Sequence, residues 1–288
     1  MQAARPKTLP AAVVPVWLGC VLAYKLAGEF SLWLAICTLM GAVFIQIATN
    51  FFNDAIDAEK GADTEKRQGP ERVTASGKMS RKAVYGCAFF CLLVASVFGV
   101  FMILERGWML LLIGIPSFYL SYGYTGGPLP LAYRGLGEVF VLVFFGWIAV
   151  VGTVFVQLGE WRWEALVLGT QVGLLSAMLI LINNIRDRDE DSGTGKQTLA
   201  VLFGQNVAWW LLLAMCLDCY LCGVVWLWVF GQKAMLLPLL GLLLGLFILV
   251  GVRKAISDGG GKVFNKFLAL SALHLIVFGV LWNLAVIG

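Results

Sequence analysis

The sequence predicts an all-α protein that crosses a membrane many times. Of its 288 residues, 60% are hydrophobic and only 13% are charged, and the mean hydropathy is +0.86. Soluble domains carry about 25% charged residues, and disordered chains combine low hydrophobicity with high charge, so both classes are excluded. A spanning helix needs about 20 mainly apolar residues. Such runs occur near residues 9–27, 30–52, 83–104, 108–125, 136–157, 163–184, 207–230, 234–252 and 265–287.

These nine runs leave no gap long enough for a soluble domain. The two longest polar stretches are residues 53–82 and 185–206, and each follows an apolar run directly. We therefore expect residues 1–288 to form a single membrane domain, with any polar chemistry built from these two stretches.

The basic residues predict the orientation of the chain. If the N-terminus is cytoplasmic, 17 of the 21 Lys and Arg residues fall on the cytoplasmic side. Because cytoplasmic loops carry an excess of Lys and Arg, this distribution predicts a cytoplasmic N-terminus and, with nine helices, an external C-terminus. Both polar stretches then face the cytoplasm, which in a bacterium places the protein in the inner membrane. The net charge of +4 reports this orientation and does not indicate nucleic-acid binding.

Two acidic motifs repeat the same spacing. Asn53 precedes Asp57 by four residues, Asn183 precedes Asp187 by four, and Asp191 follows after four more. Residues four apart share one face of a helix, so each motif presents an amide and one or two carboxylates on a single stripe. The motifs lie 130 residues and four predicted helices apart. Four crossings restore the chain direction, so we expect the two helix ends to face each other.

A divalent cation would explain why several carboxylates are placed at membrane-helix ends. Like charges four residues apart repel, and an ionised Asp in the bilayer costs about 2.5–3.5 kcal/mol. Oxygen ligands in this number suit Mg²⁺, which is usually held by one or two carboxylates together with water and substrate phosphates. Asp57, Asp187, Asp191 and one further Asp could hold two such ions. The alternative is a pair of ordinary solvated helix ends.

Three other sequence features do not indicate a functional site. Cys216, Cys219 and Cys222 have helical spacing, but no His or further Cys lies nearby, so we expect them to pack rather than bind metal. Residues 193–198 resemble a phosphate loop but lack its first Gly and the Ser or Thr after the Lys. His274, the single His, lies in the last run, so a His-based acid–base mechanism is not expected.

Two further features stay open at this point. Tyr119, Tyr122 and Tyr124 end the fourth run, where they either shield a carbocation by cation–π contact or form an interfacial aromatic belt. Asp218 lies inside the seventh run, away from both motifs, and has no evident partner. An intramembrane acid is a functional candidate by default.

The two acidic motifs resemble those of the UbiA-type membrane prenyltransferases. Their flanks are similar to the 1,4-dihydroxy-2-naphthoate prenyltransferase branch of that family. The similar segments are residues 5–10, 61–64, 67–72, 124–128, 135–138, 183–187 and 195–199. The general family motif has a third Asp where this chain has Gly61, with Asp63 two residues later. That departure itself resembles the naphthoate branch, and it places Asp63 two residues beyond the general family position.

This resemblance implies an enzyme of menaquinone biosynthesis. Its substrates would be a polyprenyl diphosphate and 1,4-dihydroxy-2-naphthoate, and its product demethylmenaquinone, formed with loss of the carboxylate as CO₂. Catalysis would depend on Asp57, Asp187 and Asp191 with Mg²⁺ as cofactor. The implied metal ligands are Asn53, Asp54, Asp57, Asp63, Asp187 and Asp191. The implied substrate-binding residues are Lys7, Asn53, Arg67, Arg72, Tyr124, Glu138, Asn183, Asn184, Arg186 and Lys196.

Two alternatives remain from the sequence. One is a prenyltransferase of the same family that uses another aromatic acceptor, such as 4-hydroxybenzoate or homogentisate, or a phytyl donor. The other is a secondary transporter, which would place its acids near the bilayer midplane rather than at helix ends. The isoprenoid tail requires an apolar tunnel open to membrane lipid. The sequence makes no prediction of the oligomeric state.

Overall fold

The computed structural model describes residue 5, residues 8–61 and residues 72–288. This part of the chain is almost entirely helical. Its helices are α1 (Pro10–Ala27), α2 (Leu32–Glu59), α3 (Arg81–Arg106), α4 (Trp108–Gly123), α5 (Gly137–Leu158), α6 (Trp163–Arg186), α7 (Arg188–Gly193), α8 (Leu199–Phe230), α9 (Lys233–Ser257) and α10 (Gly261–Ile287). The described residues form no strand, and a single isolated bridge pairs Arg134 with Gln197.

Eight of the predicted spanning helices have the length and apolarity needed to cross a membrane. The fourth, α4, is shorter than the others and opens with a 3₁₀ turn at Trp108–Leu110. The all-α membrane fold is therefore confirmed, whereas the count of nine and the external C-terminus stay predictions.

The polar stretches are more helical than the sequence suggested. Helix α2 runs on through its acidic motif to Glu59, although the apolar run ends near residue 52. Residues 185–206 contain the end of α6, the whole of α7 and the start of α8. Both polar stretches thus begin and end in helix, and the acidic motifs lie on helix ends, as their four-residue spacing predicts. Like charges four residues apart destabilise a helix. Hydrogen-bond donors from neighbouring segments offset this repulsion, so the helix can include the acidic motif.

Helix α6 lies at the centre of the bundle. About 67% of its membrane-length window is buried, the largest share of any described helix. Its apolar side chains join those of α1, α8, α9 and α10 in one large core, while α2 and α3 share a smaller cluster around Phe52. The second acidic motif thus ends the most constrained helix, and the first ends a more peripheral one.

Glycines let α5 and α6 approach at backbone contact. A Cβ added to Gly146 would lie 2.3 Å from the Gly169 carbonyl oxygen, and one added to Gly173 would lie 2.7 Å from the Leu142 oxygen. Small residues commonly mediate close packing of membrane helices. Residues Leu142–Ile148 of α5 form a π-helical segment at this crossing. The crossing holds the start of α5, which carries Glu138, against the helix that carries Asn184.

Candidate functional site

The first acidic motif occupies the last turns of α2 and is buried. Asp57 is 7% exposed, and both of its carboxylate oxygens are engaged. Arg72 Nη2 donates to Asp57 Oδ2 at 2.7 Å, and the Tyr133 hydroxyl donates to Asp57 Oδ1 at 3.0 Å. Both partners come from segments that lie outside α2, so tertiary contacts arrange this carboxylate.

Asp54 holds the chain that returns towards α3. Its Oδ2 accepts the Val73 N–H at 3.1 Å, and its Oδ1 accepts the Thr74 N–H at 2.8 Å. A carboxylate that accepts two backbone N–H groups at 1% exposure replaces water that these donors have lost. We therefore assign Asp54 to anchoring this loop, where the sequence suggested a metal ligand.

The second acidic motif is organised mainly by its own helix. Arg186 donates to both oxygens of Asp187, from Nε at 2.7 Å and from Nη2 at 2.6 Å. The same guanidinium also donates to Asn183 Oδ1 at 2.8 Å and to Asn265 Oδ1 of α10 at 2.7 Å. Asn183 Nδ2 also donates to Asp187 at 3.3 Å, as expected for residues four apart on one helical face.

Asp191 has one carboxylate oxygen that accepts no hydrogen bond from the described residues. Lys196 Nζ donates to its Oδ1 at 3.2 Å, while its buried Oδ2 has no hydrogen-bond partner among the described residues. Burial raises the pKa of Asp191 to about 6; Lys196 opposes the shift, and the negative charges of Asp187 and Asp57 add to it. Because Asp57 acts on the pKa of Asp191, the two motifs share one electrostatic environment.

The segment between α4 and α5 joins the two motifs. The Thr125 hydroxyl donates to Asn53 Oδ1, and Lys60 Nζ donates to the Thr125 carbonyl at 2.8 Å. Lys60 Nζ also lies 3.9 Å from the centre of the Tyr133 ring, a cation–π contact. The Tyr133 carbonyl in turn accepts the Gln197 N–H at 3.3 Å, just after the second motif. Tyr133 therefore contacts both halves of the site.

A buried carboxylate and an aromatic wall lie beside the acids. Asn184 Nδ2 donates to Glu138 Oε1 at 2.9 Å, and Glu138 Oε2 has no partner among the described residues. The ring centres of Tyr124 and Phe140 lie 5.0 Å apart with their planes tilted by 38°, and Phe140 stacks on Phe144 at 4.5 Å between ring centres. Burial raises the pKa of Tyr124, and the charges of Glu138, Asp57 and Asp191 raise it further, so Tyr124 is a neutral hydroxyl at neutral pH.

The structure brings most of the predicted site residues to one end of the bundle. Lys7, Asp63 and Arg67 lie outside the described residues. Among the residues that are described, no three acid, His or Cys side chains converge closely enough to enclose a metal by themselves. The unpartnered oxygen of Asp191 and the purely oxygen donors of Asp57 and Asp187 nevertheless fit a hard divalent cation.

Several contacting residues were missed from the sequence. Thr125 and Tyr133 lie in a connecting segment, and Phe140 and Phe144 lie in an apolar run, so no local pattern distinguishes them. Asn265 offered a weak signal, because it is a polar residue at the start of a long apolar helix. Their roles arise from contacts between segments distant in the chain.

Of the features left open by the sequence, Tyr124 lies at the site, as described above, and the others lie away from it. Tyr119 is 56% exposed, as expected for an interfacial belt, and Tyr122 packs at 5.6 Å against Phe52. Asp218 is exposed in the second half of α8. The His274 ring nitrogen Nε2 lies 2.6 Å from the Tyr220 hydroxyl in the core between α8 and α10. None of these groups contacts the acidic motifs in the described structure.

Comparison with known proteins gives consistent results. The sequence profile of the UbiA prenyltransferase family matches residues 12–279. The chain is 35% identical over 230 residues to a 1,4-dihydroxy-2-naphthoate octaprenyltransferase of Bacillus subtilis (strain 168), covering 80% of this chain and 72% of that protein. It is 37% identical over 204 residues to the protein of the same name from Mycobacterium leprae (strain TN), covering 71% and 69%.

A solved structure shares the fold at low sequence identity. It is that of a UbiA homolog from Archaeoglobus fulgidus bound to DMAPP and Mg²⁺. The two chains superpose with a TM-score of 0.68 at 14% identity, over 98% of each. At this identity the likeness establishes the arrangement of helices.

Proposed function

The chain belongs to the UbiA prenyltransferase family, and from this membership we propose that it transfers a polyprenyl group from polyprenyl diphosphate to 1,4-dihydroxy-2-naphthoate. The carboxylate of the acceptor leaves as CO₂, and the product is demethylmenaquinone in its reduced form. The relatives named for this reaction are 35% and 37% identical over most of their own length. The enzyme therefore serves menaquinone biosynthesis.

The observation that carries this proposal is the junction of the two acidic motifs at one end of the bundle. Asp57, Asp187 and Asp191 come from helices that are distant in sequence, and Tyr133 contacts the segments that bear them. A secondary transporter would place its acids near the midplane of broken helices. Here the acids lie at helix ends beside Arg72, Arg186 and Lys196, where a diphosphate can approach from water.

We assign Mg²⁺ to these carboxylates as the cofactor. The ligands would be Asp57, Asp187 and Asp191, with Asn53 and Asp63 as further oxygen donors. When bound, the metal supplies positive charge that stabilises the departing diphosphate. The structural relative bound to DMAPP and Mg²⁺ supports this assignment through its shared fold.

Basic and aromatic side chains of the chain have the remaining roles in the reaction. Lys196 and Arg72 lie beside the carboxylates and balance the charge that develops as the allylic C–O bond breaks and diphosphate leaves with the electron pair. Tyr124 lies close enough to Asp57 and Asp191 for their charges to act on it, and with Phe140 and Phe144 it forms an aromatic wall that would favour an allylic cation by cation–π attraction. Arg186 keeps Asp187 and Asn183 in fixed geometry.

The acceptor subsite is assigned to Glu138 and Asn184. Asn184 holds one oxygen of Glu138, which leaves the buried Oε2 to accept a hydrogen bond from a ring hydroxyl of the naphthoate. A buried acceptor that no described residue satisfies favours a ligand that supplies the missing donor. The ring carbon then attacks the allylic cation, and the electron pair of the broken C–carboxylate bond restores the aromatic ring as CO₂ departs.

The spanning helices and the distribution of basic residues indicate how the chain lies in the membrane. The chain is an integral multi-pass membrane protein, and we place its acidic end at the cytoplasmic face of the bacterial inner membrane, where the basic residues gather. We also treat residues 1–288 as one domain, because the acidic motifs at the two ends of the α2–α7 segment form one site.

One assay separates this function from its rivals. Membranes that contain the chain are incubated with radiolabelled polyprenyl diphosphate, Mg²⁺ and either carboxyl-labelled 1,4-dihydroxy-2-naphthoate or 4-hydroxybenzoate. We expect prenylation of the naphthoate with release of labelled CO₂, loss of activity with EDTA and recovery with Mg²⁺. Preference for 4-hydroxybenzoate would overturn the acceptor assignment. No transfer to any acceptor by folded protein would overturn the enzyme assignment.

A further inference from the structure

An open groove lies between α8 and α9 at the same end of the bundle as the acidic motifs, but on its outer side. Its volume is about 560 Å³, and its walls include Asn206 and Trp209 of α8 with Val250, Arg253 and Lys254 of α9. Gln205 of α8 donates to the Ile185 carbonyl at 3.1 Å, so the α8 wall of the groove is attached to the helix that carries the second acidic motif. The groove belongs neither to the acids nor to the aromatic wall.

The groove presents a positioned cation. Arg253 Nη1 donates to Asn206 Oδ1 at 2.7 Å, and its guanidinium carbon lies 5.1 Å from the centre of the Trp209 ring. Trp209 is itself held across the groove, because its Nε1 donates to the Leu249 carbonyl at 2.9 Å. An arginine that is fixed by a neutral amide and an aromatic face keeps its charge and its remaining N–H donors for a ligand.

The two cations of the groove lack carboxylate partners. Neither Arg253 nor Lys254 forms an ion pair with any acid in the part of the chain that the structure describes. Both side chains are exposed, and among the described residues that line the groove Asp258 is the one acid. The local charge of the groove is therefore positive.

The surface next to the cations, one turn earlier on α9, is apolar and exposed. Val250 is 70% exposed and Phe247, one turn earlier on α9, is 56% exposed. Cation and apolar wall lie on one helix, about one turn apart, which matches the separation between a phospholipid headgroup and the start of its acyl chains. Basic pockets between membrane helices at the charged face are typical binding sites for anionic headgroups.

We infer that this groove binds one anionic glycerophospholipid, with its phosphodiester between Arg253 and Lys254 and its acyl chains along Val250 and Phe247. Trp209 closes the side of the site and sets the depth of the headgroup. The inference is independent of the proposed function, because none of these residues contacts the acidic motifs. If it is correct, the enzyme prefers anionic membranes because of this one lipid-binding site on its surface.

The test is lipid retention by the full chain in native mass spectrometry. The purified protein is equilibrated with equal amounts of phosphatidylglycerol and phosphatidylcholine of matched acyl chains. We expect preferential retention of phosphatidylglycerol, reduced by about fivefold for each cation removed in Arg253→Gln and Lys254→Gln. The control variant Lys82→Gln removes one charge, as each groove variant does, from the exposed start of α3 and should retain the lipid as the unmodified chain does.

Three outcomes would overturn the inference. The first is equal retention of the two lipids, and the second is equal loss in the groove and control variants, which would mean that the cations act only as general membrane anchors. The third is displacement of phosphatidylglycerol by millimolar inorganic phosphate, which would assign the groove to a free anion. If Arg253→Gln fails to fold, Arg253→Lys with Lys254→Gln keeps the Asn206 contact and still removes one charge.

Discussion

The two acidic motifs have the same spacing and are assembled in different ways. In the second motif, Asp187 takes its strongest partner from the adjacent residue, Arg186, and a further one from Asn183 on the same helix. In the first motif, Asp57 takes Arg72 from fifteen residues away and Tyr133 from 76 residues away. One carboxylate is thus oriented by local geometry and the other by the fold.

This difference follows from where the two helices lie. Helix α6 is the central helix, and its end is fixed by packing on all sides, so short-range contacts suffice to aim Asp187. Helix α2 packs mainly on α3, and its last turns extend beyond the apolar run. Polar contacts from two other segments hold those turns. We therefore expect the first motif to be the more sensitive of the two to changes made far from it.

The largest expected effect is common to both motifs. Asp57→Asn and Asp187→Asn should each lower kcat by about three orders of magnitude, because several kcal/mol of charge stabilisation is lost and each 1.36 kcal/mol is tenfold in rate. Asp218→Asn is the matched control and should retain activity, since Asp218 is exposed and distant. Prenyl transfer by purified protein measures all three. Near-normal turnover of either motif variant would exclude the two-motif site.

A large effect is expected where local geometry is removed. Arg186→Lys cannot reproduce the fork that engages Asp187, Asn183 and Asn265 together, so kcat/KM should fall by about 100-fold, as hydrogen bonds to charged groups contribute about 1.5–3 kcal/mol each. Arg188→Lys, at an exposed neighbour, should have little effect. If both lysine variants behaved alike, the second motif would not depend on the Arg186 fork.

A moderate effect is expected where a tertiary contact is removed. Tyr133→Phe deletes the hydroxyl that donates to Asp57 but keeps the ring over Lys60, so kcat/KM should fall by about tenfold. The concentration of Mg²⁺ that gives half-maximal activity should rise as well, because Asp57 is no longer held in place. Tyr119→Phe removes an exposed hydroxyl and serves as the control. An unchanged Mg²⁺ requirement in Tyr133→Phe would mean that Tyr133 does not position Asp57.

The smallest effect distinguishes the two roles of Asp54. As a loop anchor, Asp54→Asn keeps an acceptor for one of its two N–H partners, so unfolding free energy should fall by about 1–2 kcal/mol with only a few-fold loss of rate. The Mg²⁺ requirement should not change. As a metal ligand, the same variant would lose activity to the extent of Asp57→Asn. Thermal denaturation and Mg²⁺ titration of the same sample separate these results.

Much of the site was accessible from the sequence because its signals are local. Spacing of four residues located Asn53, Asp57, Asn183, Asp187 and Asp191, and the structure places them at adjoining helix ends. Arg186 and Lys196 were named because their segments resemble the naphthoate branch of the family. The loop-anchoring contacts of Asp54 were not foreseen, because an acid beside a motif looks the same whether it accepts backbone N–H groups or a metal.

The sequence by itself determined the membrane class, the helical fold and the pair of acidic motifs. Hydropathy over about 20 residues and a period of four residues are properties of short segments, which the chain displays before it folds. Only the tertiary structure decided that Tyr133 links the motifs, that Glu138 keeps one oxygen unpartnered, and that Arg253 lies over Trp209. Each of these depends on contacts between residues more than 40 positions apart, and such contacts are set by how helices pack rather than by any local pattern.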